Sequence, residues 1–427
     1  MISIVQSPKS HNHTLSHFND EQVNKIVRSP IFQRKNFESL QKQQSEVQKN
    51  NDFSELVGNS TKVDLLPLKK LDVSKDCYAK KASNLLSGGN LDIRQKELIR
   101  QVNLGLQKTS PKKCSQGVGG GVYFLYGNSS QSHPIAVFKP MDEEAAQDEY
   151  VGADSQPLKR GMKAGTLAGE GALKEVAIYQ IDQLHQGRFK VPVTTLVEIC
   201  HPLWGSETKK IGSLQEYIFS EDTAEEFGYS KFSTNDIHRI GLLDLIIFNL
   251  DRHSGNLLAV ATDDSDSDHL DLVPIDHSLS LPSSDQLSEA WFDAWLSYPQ
   301  SREPFSQKDL ELIESLDADS IIQQLHSKLP KLKLTSLETL KITISLLKES
   351  VKSKLTLYQI GQIMSRSSSL GQPSPLEKIV LQTNQKLSNN KTPNQCIKKH
   401  NYLKLFNPMF WSLLQNEIQI YIQNNFK

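Results

Sequence analysis

The sequence lacks three features whose absence narrows the protein class: paired cysteines, a long apolar run and a surplus of charge. Its four cysteines lie far apart in 427 residues, without a Cys-x-x-Cys pair. This pattern argues against a zinc ribbon or a disulfide scaffold and is typical of a reducing compartment. No apolar run approaches the roughly 18–20 residues that span a bilayer, and the N-terminus lacks the apolar segment of a signal peptide. We therefore expect a cytoplasmic protein, with peripheral attachment to intracellular membranes left open.

The charge balance is nearly even, with 48 Lys and Arg residues against 49 Asp and Glu residues. Because proteins that bind polyanions usually carry a basic surplus, we expect no nucleic acid partner. Charged residues at 23% and hydrophobic residues at 37% are typical of a globular protein. At roughly 150 residues per domain, the length predicts two or three domains or one large bilobal unit with tails.

The composition divides the chain into three regions. Residues 1–90 are predicted to be a polar, largely disordered leader, because Gln and Asn crowd where apolar residues are sparse. Residues 91–365 hold most strand and helix patterns, with strands prevailing over about 91–218 and helices over about 219–365. This order predicts an α+β fold with a β-rich small lobe followed by an α-helical large lobe. Residues 366–427 are predicted to be a polar tail.

Periodicity within these regions predicts individual elements. Runs of β-branched and aromatic residues predict strands at Val122–Tyr126, Ile135–Lys139, Val191–Ile199 and Ser213–Phe219. Apolar residues at helical spacing predict helices at 91–109, Glu170–Leu184, Asn235–Asn249, Lys308–Leu316, Ala318–Leu329 and Leu337–Leu355. We also expect a short helix at Asp20–Val27 and an amphipathic helix at Trp411–Ile422 that docks on the body of the protein.

A glycine-rich run leads directly into the first predicted strand. Glycine lets a backbone fold closely over an anion and direct its N–H groups at phosphate oxygens. The run lacks both the Walker ending and the dinucleotide-binding spacing, so a tight hairpin without a ligand is at least as typical of it. The candidate phosphate-binding residues are Gly117, Val118, Gly119, Gly120, Gly121 and Val122.

A lysine ends the second predicted strand, shortly after the glycine run. Lys139 stands where kinases place the lysine that pairs with nucleotide phosphates. An ordinary solvated lysine at a strand end is the alternative. The next predicted helix offers Glu175 or Glu170 as an acidic partner for Lys139, and the sequence leaves that choice open.

The most specific signal lies in the loop after the buried helix Asn235–Asn249. Asp251 can orient an acceptor hydroxyl and take its proton, and Asn256, five residues later, can ligate a metal. Asp276, at the end of an apolar strand about twenty residues on, completes a Mg²⁺ site. The loop lies between an apolar helix and an apolar strand, where polar side chains cost free energy unless they have hydrogen-bond partners or a ligand. This favours a functional interpretation of the segment.

Two surface groups bear on contact with a membrane. The aromatic residues are compatible with a lipid-facing patch, although their spacing is more typical of helical core packing: Trp291, Phe292 and Trp295. The basic residues are compatible with anionic headgroups or with simple solvation: Lys159, Arg160, Lys163, Lys209 and Lys210.

Together, seven segments resemble the phosphatidylinositol 3-/4-kinase superfamily, in particular the type II phosphatidylinositol 4-kinases and most of all their plant gamma-type members. The resemblance covers about residues 111–365. Its segments are Gly117–Phe124, Ile135–Glu144, Gly169–Tyr179, Ser213–Ile218, His238–Leu258, Leu272–Pro282 and the turn Pro304–Ser306. The animal-type enzymes are anchored by palmitoylation of a cysteine-rich insert. That insert has no counterpart here, because the segment Pro157–Gly165 contains no cysteine.

The resemblance implies a protein-kinase-like bilobal fold and a role for each motif. The implied ATP-binding residues are the glycine run, Lys139, the helix glutamate Glu175 with Glu170 as its alternative, and the adenine hinge Gln215, Glu216 and Tyr217. The implied catalytic residues are Asp251, Arg252 and His253, and the implied Mg²⁺ ligands are Asn256 and Asp276. Asp276 is followed by His277 and Ser278, as in the lipid-kinase-like group, and not by Phe-Gly.

The function that the resemblance implies is an ATP- and Mg²⁺-dependent phosphatidylinositol 4-kinase. A Ser/Thr protein kinase that uses the same site is the first alternative. A pseudokinase scaffold is the second, and the intact set Lys139, Asp251, Asn256 and Asp276 argues against it. The expected partners are ATP and either phosphatidylinositol or a protein acceptor, with peripheral contact to an anionic membrane left open.

Overall fold

The computed structural model describes residues 77–82, 91–115, 120–128, 133–147, 149–151, 157–205, 208–262, 268–366, 371–389 and 404–426. These residues all belong to one unit, Leu71–Lys427. The helix predicted at Asp20–Val27 and most of the predicted leader lie outside the described residues.

Eleven strands are found in the described part of the chain. They are β1 Tyr78–Lys81, β2 Lys112–Lys113, β3 Tyr123–Leu125, β4 Ala136–Pro140, β5 Glu149–Val151, β6 Pro157–Lys159, β7 Thr194–Cys200, β8 Lys209–Glu216, β9 Asp222–Thr223, β10 Leu257–Ala261 and β11 Leu270–Pro274. Six of them form an antiparallel sheet in the order β1-β7-β8-β4-β3-β2. Strands β9–β11 form a second sheet in the order β11-β10-β9, and β5 pairs with β6.

Nine α-helices occur in the same described ranges. They are α1 Ile93–Leu106, α2 Gly171–Leu184, α3 Thr234–Ile247, α4 Gln307–Ser315, α5 Ala318–Lys328, α6 Leu334–Lys352, α7 Leu357–Met364, α8 Pro375–Asn389 and α9 Pro408–Asn425. Several begin at a polar residue whose side chain accepts a bond from the first turn, such as Asp92, Ser233 and Thr356. Such side chains satisfy N–H groups that the helix itself leaves unpaired.

The predicted order of elements is confirmed, with the large sheet in the first half of the chain and most helices in the second. The strands predicted at Val122–Tyr126 and Ile135–Lys139 are present as β3 and β4, which pair with each other, and the helices α1 to α6 lie close to their expected bounds. Strand β8 differs, because it starts four residues before Ser213 and ends at Glu216. Strand β1 lies within residues 1–90 and pairs with β7, although the sequence there was expected to be a leader.

The core of the helical half is built around α3, where every residue from Asp236 to Ile247 is buried. Helix α6 packs on α3, and its Thr343 hydroxyl donates to the carbonyl of Ile246 at 2.6 Å. Helix α9 covers α6 and α8 and buries Phe410 and Leu414. None of the helices in the described ranges is long and apolar enough to cross a membrane.

The aromatic group after β11 is not helical, contrary to its spacing. Phe292 and Trp295 are buried and stack with ring centroids 4.7 Å apart, as expected for core packing. Trp291 instead keeps 44% of its surface exposed. The group therefore divides into two core residues and one surface residue.

Candidate active site

Lys139 joins the large sheet to the helical half of the protein. It lies on β4, and its Nζ donates to Oε1 of the fully buried Glu175 on α2 at 2.7 Å. The same Nζ lies 3.1 Å from Oδ1 of Asp276, two residues after β11. Glu170 is engaged elsewhere, with its Oε1 3.2 Å from Lys333 Nζ. The choice that the sequence left open is thus resolved in favour of Glu175.

Charge pairing determines the ionisation of this cluster. Burial would lower the pKa of Lys139, but the carboxylates of Asp276 and Glu175 raise it overall. Burial would raise the pKa of Glu175, but the Lys139 charge and the neighbouring His277 lower it overall. The Lys139 charge is also the main reason why the pKa of Asp276 is lowered. Two carboxylates and one ammonium are therefore ionised at neutral pH, which leaves a net negative charge.

Asp251 lies in the loop that follows α3. The helix stops at Phe248, whose φ of 49° places it in the left-handed region, and the chain then turns through Asn249. The Asn249 side-chain oxygen accepts a bond from the Asp251 N–H at 2.9 Å. The Asp251 carboxylate keeps 33% of its surface exposed and lies 3.4 Å from Lys163 Nζ. This carboxylate is therefore partly exposed and is paired with a lysine from another loop.

A buried aspartate on α3 organises that loop. Asp244 accepts two 3.0 Å bonds from Nε of Arg252, one at 2.9 Å from Asn249 and one at 2.9 Å from the Trp295 indole. Arg252 has no exposed side-chain surface, and its Nη1 donates to the carbonyls of Asn256 and Ile275 at 2.6 and 2.9 Å. Arg252 therefore ties the loop to α3 and to the residue before Asp276.

The other residues predicted for this loop differ in burial. His253 is exposed, whereas Asn256 is buried and its amide nitrogen donates to the Asp251 carbonyl at 3.0 Å.

Asp276 has a φ of 55° and accepts a 2.9 Å bond from the Ser278 hydroxyl. His277 is fully buried with its Nδ1 3.4 Å from Glu175 Oε2, and burial lowers its pKa, so it is neutral at pH 7.

The predicted glycine run is described only from its fourth residue onward. Gly117, Val118 and Gly119 lie outside the described residues. Gly120 has a φ of +132°, and a Cβ there would lie 2.4 Å from the carbonyl oxygen of Glu143. The N–H of Gly121 donates to that same carbonyl at 3.0 Å, and Val122 then leads into β3. Only glycine fits this close approach to the segment after β4.

Two residues of the predicted adenine hinge, Gln215 and Glu216, end β8, and Tyr217 follows the strand. The Gln215 side chain is buried and donates to the Thr194 hydroxyl at 3.1 Å. The N–H groups of Glu216 and Tyr217 donate to the carbonyls of Val193 and Ile135 at 2.8 and 3.0 Å. Both N–H groups are thus used in pairing with neighbouring segments of the sheet.

A divalent cation would find a small donor set at this site. In the described ranges, no cluster of three or more His, Cys, Asp or Glu residues could hold a metal by itself. The Asp276 carboxylate is 44% exposed, and the amide nitrogen of Asn256 is occupied, so the Asn256 oxygen is the atom that a cation would take. Mg²⁺ typically takes one or two protein ligands together with waters and substrate phosphates. The pair Asn256 and Asp276 fits that mode of binding.

Three residues at the site were given no role from the sequence. Glu144 accepts bonds from the N–H groups of Gly169, Gly171 and Ala172, and so caps α2, the helix that carries Glu175. Asp244 and His277 are the other two. A carboxylate inside the apolar run of α3 needs a partner, and this signal would have identified Asp244.

The architecture and the site define a protein-kinase-like bilobal fold. In this fold Lys139 on the large sheet contacts both Glu175 on α2 and Asp276 after β11. The family model for phosphatidylinositol 3- and 4-kinase matches residues 119–360. The chain therefore belongs to the phosphatidylinositol 3- and 4-kinase family.

Curated relatives agree with this family. Phosphatidylinositol 4-kinase gamma 4 of Arabidopsis thaliana is 38% identical over 301 residues, which cover 67% of this chain and 51% of the relative. Phosphatidylinositol 4-kinase gamma 4 of Oryza sativa subsp. japonica is 36% identical over 293 residues, covering 66% of this chain and 50% of the relative. The chain thus spans about half the length of these curated relatives.

One solved structure gives a weaker match. The Helicobacter pylori proinflammatory kinase CtkA has 12% sequence identity and a TM-score of 0.32, covering 59% of this chain and 95% of that chain. Such a score carries no argument about the fold, which is defined by the strands and helices described above.

Proposed function

We propose that this chain is an ATP- and Mg²⁺-dependent phosphatidylinositol 4-kinase. The observation that carries the proposal is the Lys139 ammonium, held 2.7 Å from Glu175 and 3.1 Å from Asp276 in a chain of this family. The names of the plant relatives support a phosphatidylinositol acceptor and the 4-hydroxyl.

The proposed reaction is a direct transfer of the γ-phosphoryl group of ATP. Asp251 orients the acceptor hydroxyl and takes its proton while the hydroxyl oxygen forms a bond to the γ-phosphorus. The bond from that phosphorus to the bridging oxygen breaks, and its electron pair leaves with ADP. Lys139 stabilises charge on the phosphates, and Mg²⁺ bound with Asn256 and Asp276 would neutralise more of it.

The remaining predicted residues take supporting roles in this proposal. The glycine run, including Gly117, Val118 and Gly119, covers the phosphates with its backbone. Gln215, Glu216 and Tyr217 form the wall of the adenine site. Arg252 acts as a positioning residue, because its side chain has no exposed surface and donates to Asp244 and to the Asn256 carbonyl. We assign no proton transfer to His253.

Peripheral contact with an anionic membrane is part of the proposal. Lys159, Arg160 and Met162 are exposed on the segment that leads to Lys163, which contacts Asp251. Basic side chains beside an exposed apolar one suit a surface of anionic headgroups. In this arrangement the lipid acceptor would reach Asp251 from the membrane face of a cytoplasmic enzyme.

The acceptor is tested by incubating purified protein, Mg²⁺ and γ-labelled ATP with phosphatidylinositol micelles and, in parallel, with a generic protein substrate. Asp276→Ala serves as the blank, because it removes a metal ligand and leaves the Lys139–Glu175 pair in place. We expect label in the lipid alone, and glycerophosphoinositol 4-phosphate after deacylation. Label in protein alone would replace the proposal with a Ser/Thr protein kinase. Absence of label in both, with ATP bound, would favour a pseudokinase.

A further inference from the structure

A cation from outside the catalytic loop contacts Asp251. Lys163 lies in the loop between β6 and α2, and its Nζ is 3.4 Å from Oδ1 of Asp251. The same Nζ lies 5.4 Å from the ring centroid of Trp291, within the range of a cation–π contact. The proposed catalytic carboxylate is thus flanked by an ammonium group and an aromatic ring.

The loop that carries Lys163 is fixed in place by hydrogen bonds. The Thr166 hydroxyl donates to the Lys163 carbonyl at 2.6 Å. The N–H of Ser283 donates to the Gly165 carbonyl at 2.8 Å, and the Ser288 hydroxyl donates to that of Ala164 at 3.2 Å. The last two bonds attach the loop to the segment that follows Asp276. Lys163 is therefore held on the acceptor side of the site by its backbone.

Trp291 is held beside the same carboxylate. Its N–H donates to the Asn249 carbonyl and its carbonyl accepts from the Arg252 N–H, both at 3.0 Å. These two bonds bracket Asp251 on either side along the chain. The ring remains 44% exposed, although Phe292 is buried. An aromatic ring kept exposed next to a catalytic group offers a flat apolar face to a ligand.

The arginine of the catalytic loop cannot reach an anionic acceptor, because its side chain has no exposed surface. Arg252 donates instead to Asp244 and to the backbone carbonyls of Asn256 and Ile275. Lys139 is paired with Glu175 and Asp276 on the nucleotide side. Among the described residues, Lys163 is the lysine that forms an ion pair with Asp251. It can therefore exchange this carboxylate for an anion that arrives with the acceptor.

We propose that Lys163 and Trp291 form the acceptor subsite for an inositol phosphodiester, a proposal that rests on the phosphatidylinositol kinase function above. The apolar C–H face of the inositol ring packs on the Trp291 ring, and the phosphodiester pairs with the Lys163 ammonium. When the anion draws Lys163 away, the Asp251 carboxylate becomes available to the acceptor hydroxyl. The subsite thus couples acceptor binding to exposure of the catalytic carboxylate.

The test uses the full chain and a short-chain phosphatidylinositol below its micelle concentration, so that membrane binding does not contribute. We expect Lys163→Met to raise KM for this lipid about tenfold or more, because one charge-assisted contact is lost. KM for ATP should change less than about twofold. Lys163→Arg should recover most of the lipid affinity, and Trp291→Ala should raise the same KM while Trp291→Phe largely preserves it. Lys308→Met, on an exposed residue of α4, is the matched control.

The outcomes separate this subsite from the proposed function. A wild-type protein that phosphorylates no phosphatidylinositol overturns the function, and the subsite with it. A wild type active on the lipid, with an unchanged lipid KM in Lys163→Met, overturns the subsite alone. A Lys163→Met protein with a raised KM for ATP and an unchanged lipid KM would likewise overturn it, because Lys163 would then serve the nucleotide.

Discussion

At the scale of single residues, burial decides which charged groups can act on a substrate and which can only position others. Lys139 and Asp276 keep 21% and 44% of their side-chain surface exposed, whereas Glu175 and Arg252 expose none. A side chain without exposed surface cannot contact ATP or an acceptor. We therefore infer that Glu175 and Arg252 act through the residues that they hold.

Replacement of Lys139 by methionine should affect both catalysis and folding. Loss of the ammonium removes charge stabilisation of the phosphates, which we expect to lower kcat by about 10²–10³-fold. It also leaves the buried Glu175 carboxylate without its ion pair, so the urea midpoint should fall. Steady-state kinetics and urea unfolding of Lys139→Met check both effects. Wild-type kcat in this variant would remove Lys139 from the site.

Arg252 and His253 should behave differently, although the sequence placed both in the catalytic group. Arg252→Met leaves the fully buried Asp244 without its charge partner, and we expect a loss of about 3–5 kcal/mol in unfolding free energy. His253→Ala changes an exposed side chain and should alter stability by less than about 0.5 kcal/mol. Chemical denaturation of the two variants measures the difference. Equal stability of both would contradict the positioning role of Arg252.

The sequence predicted the residues that follow one another in a motif but not those that meet across the fold. Asp251 and Asn256 were identified because five residues in one loop fix their relation. Lys163 could not be placed beside Asp251, because 88 positions separate them and their contact depends on how two loops approach. Glu175 could not be preferred to Glu170, because the position of α2 against β4 decides which carboxylate reaches Lys139.

At the scale of elements, buried carboxylates fasten helices to one another. Asp309 forms a capping box with Ser306 at the start of α4, and its Oδ1 lies 2.5 Å from Arg188. Its Oδ2 also lies 3.5 Å from Nδ1 of His238 on α3. One side chain thus connects α4, α3 and the turn after α2. Stability of the helical half should depend on its charge.

The protein should lose stability in acid as the Asp309 carboxylate becomes protonated. Burial would raise its pKa, but bonds from His238 and Ser306 and the Arg188 charge lower it to about 2. Because the folded pKa lies below the unfolded one, its stabilisation is complete above about pH 4 and is lost as the pH falls towards 2. We expect Asp309→Asn to cost about 2 kcal/mol at pH 7, and progressively less below pH 4.

Urea unfolding of the wild type and of Asp309→Asn between pH 3 and pH 7 measures how the difference in unfolding free energy shrinks as the pH falls. Asp319→Asn is the matched control, because its carboxylate is 73% exposed. A difference between the wild type and Asp309→Asn that grows on acidification would contradict the assignment.

Periodicity predicted the long elements better than the short ones. Helices α2, α3 and α9 have many apolar residues at helical spacing, and the sequence located each of them. Strand β1 has four residues, two of them lysines, so its pairing with β7 is set by the sheet and not by local sequence. In α8, buried Leu376, Ile379, Val380 and Thr383 do follow a helical period, which the polar character of the surrounding tail obscured.

At the scale of the whole molecule, the C-terminal helices belong to the packed body. Phe410 on α9 is fully buried, and Lys386 on α8 pairs with Glu417 on α9 at 2.5 Å. The N–H of Leu405 donates to Glu338 on α6, whose other oxygen accepts from Ser284 after Asp276. The tail is thereby connected to the segment that carries a proposed metal ligand. The division of the full chain into leader, catalytic domain and tail stays a prediction.

Two phenylalanine substitutions in the C-terminal segment test whether this segment stabilises the whole protein. Phe410→Ala removes a fully buried ring, so we expect a loss of about 3–5 kcal/mol and a lower melting temperature. Phe406→Ala removes a ring that is 77% exposed and should change stability little. Thermal and urea unfolding compare the two. Equal and small effects would show that α9 does not contribute to the stability of the body.

The central claim is that Asp251 and the Lys139 cluster transfer the γ-phosphoryl group of ATP. It is tested most directly by single-turnover transfer from γ-labelled ATP to phosphatidylinositol, measured for the wild type and for Asp251→Asn at equal ATP occupancy. The account predicts labelled phosphatidylinositol phosphate with the wild type and a rate at least about 10²-fold lower with Asp251→Asn, which folds and still binds ATP. Equal transfer rates in the two proteins would contradict it.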